Sequence, residues 1–203
     1  MKETALHTSR ARSTQKLVTI PMLAAVAFIL QYLEVPIPLM PSFLKLDFST
    51  LPALIGGLMF GPVAGVIIEV IKNTLHMLLK NTDGLIIGEI SNVIAGACFI
   101  LPAIYMQRLG KGKKGFLTGL ALGTLLMTIV MAIANAYALL PAYAVLYQMP
   151  IEQLLAMFNA TSIWSLVLVG IVPFNLFKGV VISLIAYPVF AKLAPRLQVR
   201  TEK

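Results

Sequence analysis

The sequence predicts an all-α, polytopic membrane protein, a bundle of six transmembrane helices with both termini on the cytoplasmic side. Its 203 residues are 59% hydrophobic and only 12% charged, with a mean hydropathy of +0.89. That is more apolar surface than a soluble core of this size encloses. The chain divides into uncharged runs close to the roughly 20 apolar residues that cross about 30 Å of hydrocarbon. Its Lys and Arg residues gather in short stretches between those runs, mostly on one side.

The expected spans are Leu17 to Leu33, Thr50 to Phe60, Val63 to Leu79, Leu85 to Gln107, Phe116 to Leu140 and Ser162 to Ala191. The first closes at Glu34 and the series Pro36, Pro38, Pro41. Gly56 and Gly57 shorten the second, and the turn dipeptide Gly61-Pro62 ends it, so spans two and three form a tight hairpin. One domain results: a basic N-terminus (1–16), a bundle (17–191) and a basic tail (192–203). The stretch from Leu17 reads as a retained span rather than a cleavable leader, because everything downstream is hydrophobic too.

Lys2, Arg10, Arg12 and Lys16 precede the first span. Arg108, Lys111, Lys113 and Lys114 follow the fourth, and Lys192, Arg196, Arg200 and Lys203 follow the sixth, twelve of the sixteen basic residues in all. Basic residues are retained on the cytoplasmic side. The outer face then carries the connections Glu34 to Ser49, Lys80 to Gly84 (through the turn Asn81-Thr82-Asp83-Gly84) and Pro141 to Thr161. Nucleic acid is excluded as a partner, since the basic excess tracks span ends rather than one surface. Anionic lipid headgroups suit that pattern. Cys98 lies in an apolar run and packs there.

The first outer connection is not ordinary linker. Three prolines stiffen it, and Leu44, Leu46 and Phe48 then alternate with Lys45 and Asp47. An extended backbone would turn the apolar set inward and the charges to water, as a lid over an outward-facing pocket. In the last span Pro173 withholds a backbone N–H. Asn175 and Lys178 follow it on one helical face. A lysine so placed marks a functional site. Asn135, deep in another uncharged run, adds a second carboxamide, and these groups together offer donors and acceptors to a polyhydroxylated ligand. Glu89 and Asn92, just inside span four, face the same pocket. Glu69, Lys72 and His76 share a face of span three, either as an i, i+3 ion pair with His76 near the outer surface or as a proton relay.

No phosphate-binding loop, metalloprotease helix, nucleophile elbow or His/Cys metal cluster occurs in the sequence. An enzyme is not expected, and active uptake needs an external engine or an ion gradient.

The stretches LDFSTLPALIGGLMFGPVAG (Leu46 to Gly65), NVIAGACF (Asn92 to Phe99), ANAYALLPAY (Ala134 to Tyr143) and VPFNLFKG (Val172 to Gly179) resemble the riboflavin-specific S components of energy-coupling-factor (ECF) transporters. The resemblance implies a bacterial plasma-membrane protein that captures riboflavin at the outer face as cargo, not as cofactor. A membrane coupling subunit and two ATPase subunits would then deliver it inward. By matching motif it implies ligand contacts at Asn135, Asn175 and Lys178, with Leu44, Leu46, Asp47 and Phe48 closing over the flavin ring, and no metal; Gly88 and Asn92 are further candidates for the same site. Docking on the coupling subunit would use small residues of the first helix, Ala24, Ala25 and Ala27, although the four-residue small-residue spacing here pairs Pro21 with Ala25. The alternative is a proton-coupled carrier of a small solute built on Glu69, Lys72 and His76.

Overall fold

The computed structural model describes residues 2–38, 40, 44–80 and 86–198. The turn expected at residues 81–84, part of the proline series and the end of the basic tail lie outside them. Helix α1 is Lys2–Tyr32, followed by the short antiparallel pair β1 (Val35–Pro36) and β2 (Lys45–Leu46). Then come α2 (Thr50–Phe60), α3 (Pro62–Lys80) and α4 (Ile86–Met106). A π-helical turn, Gln107–Lys111, leads into α5 (Gly112–Ala134), and a second, Asn135–Leu139, carries α5 on into α6 (Leu140–Leu146). After α7 (Ile151–Met157) and α8 (Ile163–Leu166), a third π turn, Val167–Ile171, runs into α9 (Val172–Gln198). The connection expected between Pro141 and Thr161 is therefore largely helical.

Local sequence explains the boundaries. Gly61 adopts φ 111°, open to a residue without Cβ, and its N–H caps α2 by donating to the Gly57 carbonyl at 2.8 Å. Pro62 then opens α3, where its missing N–H costs nothing. Ser162 starts α8 through reciprocal bonds with Ser165, each 3.0 Å.

Among the described residues, five helical segments are long and apolar enough to cross a membrane: Thr14–Tyr32, Pro62–Lys80, Ile86–Leu109, Gly112–Leu146 and Ile163–Ala194. The expected second span is not one of them. With 11 residues, α2 rises only about 16 Å, roughly half the hydrocarbon thickness. The segment before it makes up the difference. Ser49, at the head of α2, touches Lys72, about two turns or 12 Å short of the end of α3 at Lys80. Leu44, Asp47 and Ser49 are all buried. Non-helical backbone at such depth is tolerated because protein, not lipid, surrounds it.

Contacts sort the helix ends. Lys80, ending α3, donates to the Tyr32 carbonyl that ends α1. At the opposite pole a Cβ on Gly61 would sit 3.4 Å from the Arg108 guanidinium. Phe116, early in α5, stacks on Phe190 of α9 with ring centroids 4.1 Å apart. The last turns of α9 thus share a pole with the α2–α3 and α4–α5 turns.

Small residues let the helices approach. At Gly123 of α5 a Cβ would lie 2.2 Å from the Phe99 carbonyl oxygen of α4, so the two backbones are in contact. Backbone cannot yield as a side chain can. Gly123→Ala should therefore cost about 1–3 kcal/mol through overpacking, read as a lowered melting temperature in detergent. Unchanged stability would show that α4 and α5 are not held this closely.

Candidate ligand-binding site

At the Tyr32 and Lys80 pole a cleft opens between the helices, with about 870 Å³ of atom-free space counted out through its mouth. One wall comes from Met131, Asn135, Phe174, Asn175 and Lys178, which flank two of the π turns, Asn135–Leu139 and Val167–Ile171. Asn135 begins the first and donates from Nδ2 to the Met131 carbonyl at 2.8 Å. Asn175 donates from Nδ2 to the Ile171 carbonyl, also at 2.8 Å, just beyond the second. That turn lies directly upstream of Pro173, whose ring and missing N–H disfavour regular α-helix at this point. Each amide is pinned to its own helix, and its Oδ1 and second N–H have no other partner among the described residues. Both side chains line the cleft and are 3–4% exposed.

Lys178, one turn below Asn175, also lines the cleft and is 5% exposed. Its Nζ donates to Asp47 Oδ2 at 2.8 Å and to Asn92 Oδ1 at 3.4 Å. Asp47 was expected to face water. Instead it is 2% exposed, because an ammonium inside the bundle needs a counter-ion and the loop supplies one. Lys45 keeps to the mouth and pairs with Glu34 at 3.1 Å. Of the expected ligand set, Leu44, Gly88, Asn92, Asn135, Asn175 and Lys178 line the cleft; Leu46, Asp47 and Phe48 lie outside its lining.

The opposite wall is also polar. His76 Nδ1 lies 2.7 Å from Glu89 Oε1, and its Nε2 is 3.7 Å from Glu34. Gln31 Nε2 donates to Asn73 Oδ1 at 2.8 Å and to Glu89 Oε2 at 3.2 Å. Sequence reasoning took Glu34 only as a span stop and passed over Gln31, although a lone amide in an apolar span is a visible signal. Ser49 gave no such signal. His76, expected near the outer surface, is buried at the cleft.

Glu69 and Lys72 form the expected i, i+3 pair at 2.7 Å, but both side chains are fully buried and neither lines the cleft. Gly96 makes room for Glu69, since a Cβ there would fall 2.4 Å from the carboxylate carbon. The docking set needs a correction too: Ala24 and Ala27 are 0% exposed, buried where α1 packs on the bundle, and only Ala25 faces outward.

Apolar helices of membrane-spanning length, closed around a polar cleft beneath an inserted loop, define a membrane-embedded solute-binding protein. The chain belongs to the substrate-specific components of ECF transporters: residues 15–190 match the family described as "ECF transporter, substrate-specific component". It is 38% identical over 185 residues to the riboflavin transporter FmnP of Bacillus subtilis (strain 168), covering 91% of this chain and 94% of that one. It is 37% identical over 183 residues to the riboflavin transporter RibU of Staphylococcus aureus (strain TCH60), covering 90% and 92%. A solved structure described as "Structure and mechanism of the S component of a bacterial ECF transporter" matches with a TM-score of 0.76 at 37% identity, over 91% of this chain and 98% of that chain. The chain is thus an integral plasma-membrane transport subunit, not an enzyme.

The two classes of ion pair should separate in a stability measurement. Lys72→Met leaves Glu69 buried and unpaired and should cost about 3–5 kcal/mol. Lys45→Met, at the partly exposed mouth, should cost about 0–1 kcal/mol. Equal melting temperatures for the two variants would contradict the burial described.

Proposed function

We propose that the chain captures riboflavin at the outer face of the membrane and hands it inward as the binding component of an ATP-driven ECF transporter. The observation that carries the reading is the meeting of Asn135, Asn175 and Lys178 around one cleft. Relatives alike over nine tenths of both chains are named riboflavin transporters, which supports the choice of ligand. The carboxamides hydrogen-bond the heteroatoms of the flavin ring, Lys178 and Asn92 add a donor and an acceptor, and Leu44 closes over the ligand. A carrier working through Glu69 and Lys72 fits less well, because that pair is closed on itself away from the cleft.

The basic residue clusters put the Arg108 pole in the cytoplasm. Six crossings result, the second completed by residues 44–49 together with α2, and both termini lie inside. Energy comes from outside the chain, through a coupling subunit and two ATPases, with Ala25 at the centre of the docking face on α1.

Purified protein should be yellow, with one flavin bound per chain. Asn135→Ala, Asn175→Ala and Lys178→Ala should each weaken riboflavin by about 1–3 kcal/mol, roughly ten- to a hundredfold, in titrations by flavin fluorescence quenching. Undiminished binding in all three would move the site elsewhere. Ala25→Trp should block uptake in liposomes holding the coupling subunit and ATPases while leaving binding intact; concentrative uptake by the lone chain would defeat the division of labour. An impermeant thiol reagent should label Asn159→Cys, and not Gly112→Cys, from outside intact cells.

A further inference from the structure

Beneath the cleft, acid and base alternate along one buried line. Glu69 Oε2 lies 2.7 Å from Lys72 Nζ, and Lys72 donates to Ser49 Oγ at 2.6 Å. Ser49 donates to Asp47 Oδ1 through its hydroxyl and, at 2.9 Å, through its backbone N–H. Asp47 Oδ2 accepts from Lys178 at 2.8 Å. Every member is 5% exposed or less. Two of the five belong to the segment between β2 and α2, and through them α3 is tied to α9.

We propose that Asp47 is a positioning residue and a strap: it does not touch the ligand but aims the Lys178 ammonium at the cleft and fastens the inserted loop to α9. Asp47 lies outside the cleft lining while Lys178 lies on it. Both carboxylate oxygens are engaged, one by Ser49 and the other by Lys178. Lys178 has three N–H donors, of which Asp47 and Asn92 take two and so fix where the third points. A lysine carries much rotamer freedom, which this pairing removes before the ligand arrives. Because the same bond holds the loop, ligand exchange past residues 44–49 requires the strap to break.

The inference rests on the riboflavin reading, and a double-mutant cycle tests it. Riboflavin affinity is measured for the wild type, Asp47→Asn, Lys178→Met and the double variant, with Asn135→Ala plus Asp47→Asn as reference pair. If Asp47 acts through Lys178, each single change weakens binding tenfold or more, and the double is within about threefold of Lys178→Met. The reference pair multiplies. Multiplying losses for Asp47 and Lys178 as well would overturn the proposal, since Asp47 would then contribute independently. A second readout needs no ligand: with Lys45→Cys as reporter, Asp47→Asn should speed labelling by an impermeant thiol reagent severalfold. Unchanged labelling would refute the strap. Should Asp47→Asn fail to fold, Ser49→Ala replaces it in the labelling arm, with the same two outcomes. Failure of the wild type to bind any flavin would sink the functional reading and leave the labelling result to decide the strap.

Discussion

A lysine ammonium inside a membrane bundle must find a carboxylate, and among the described residues two such lysines are buried, Lys72 and Lys178. Lys72 has Glu69 on its own helix. Lys178 has Asp47, which arrives on a loop. Several features follow from that one requirement. The connection after α1 dips into the bundle, and α2 starts at mid-depth and so can be half a span long. The layer beneath the cleft is ionic, and its two acids and two bases pair off, Glu69 with Lys72 and Asp47 with Lys178.

Above that layer the walls of the cleft divide the work. The π turns Asn135–Leu139 and Val167–Ile171 interrupt regular helix where two carboxamides face the cleft. Bonding each amide to the carbonyl four residues back fixes its plane. Ligand binding therefore spends little on ordering these groups. The facing wall, Gln31, His76 and Glu89, is cross-linked among α1, α3 and α4. The mouth is closed more loosely, by Glu34 with Lys45 and Lys80.

Much of this was legible in the sequence, for physical reasons. Long uncharged runs can hardly be anything but spans, and Asn135, Asn175 and Lys178 stood out because polar groups within such runs need a purpose. The alternation of Leu44 to Phe48 misled at Asp47, because period-two burial assumes a continuing strand, whereas β2 ends at Leu46 and the chain beyond it turns Asp47 into the bundle. The α1 alanines misled for a related reason: smallness marks close packing without saying whether the neighbour is this chain or another. Ser49 and the lining role of Gln31 depend on three-dimensional meetings between distant segments, such as Ser49 with Lys72, that no local pattern encodes.

In the proposed binding mode the ligand sits against Asn135 and Asn175, beside the π turns Asn135–Leu139 and Val167–Ile171 and beneath a loop held by buried charge. Hydrogen–deuterium exchange with and without riboflavin tests it most directly, because backbone opening is read segment by segment. Exchange should slow on binding at residues 44–49 and in both of these π turns, with the α2–α3 turn around Gly61 unchanged. Protection centred on Gly61, or none at residues 44–49 despite saturating ligand, would contradict it.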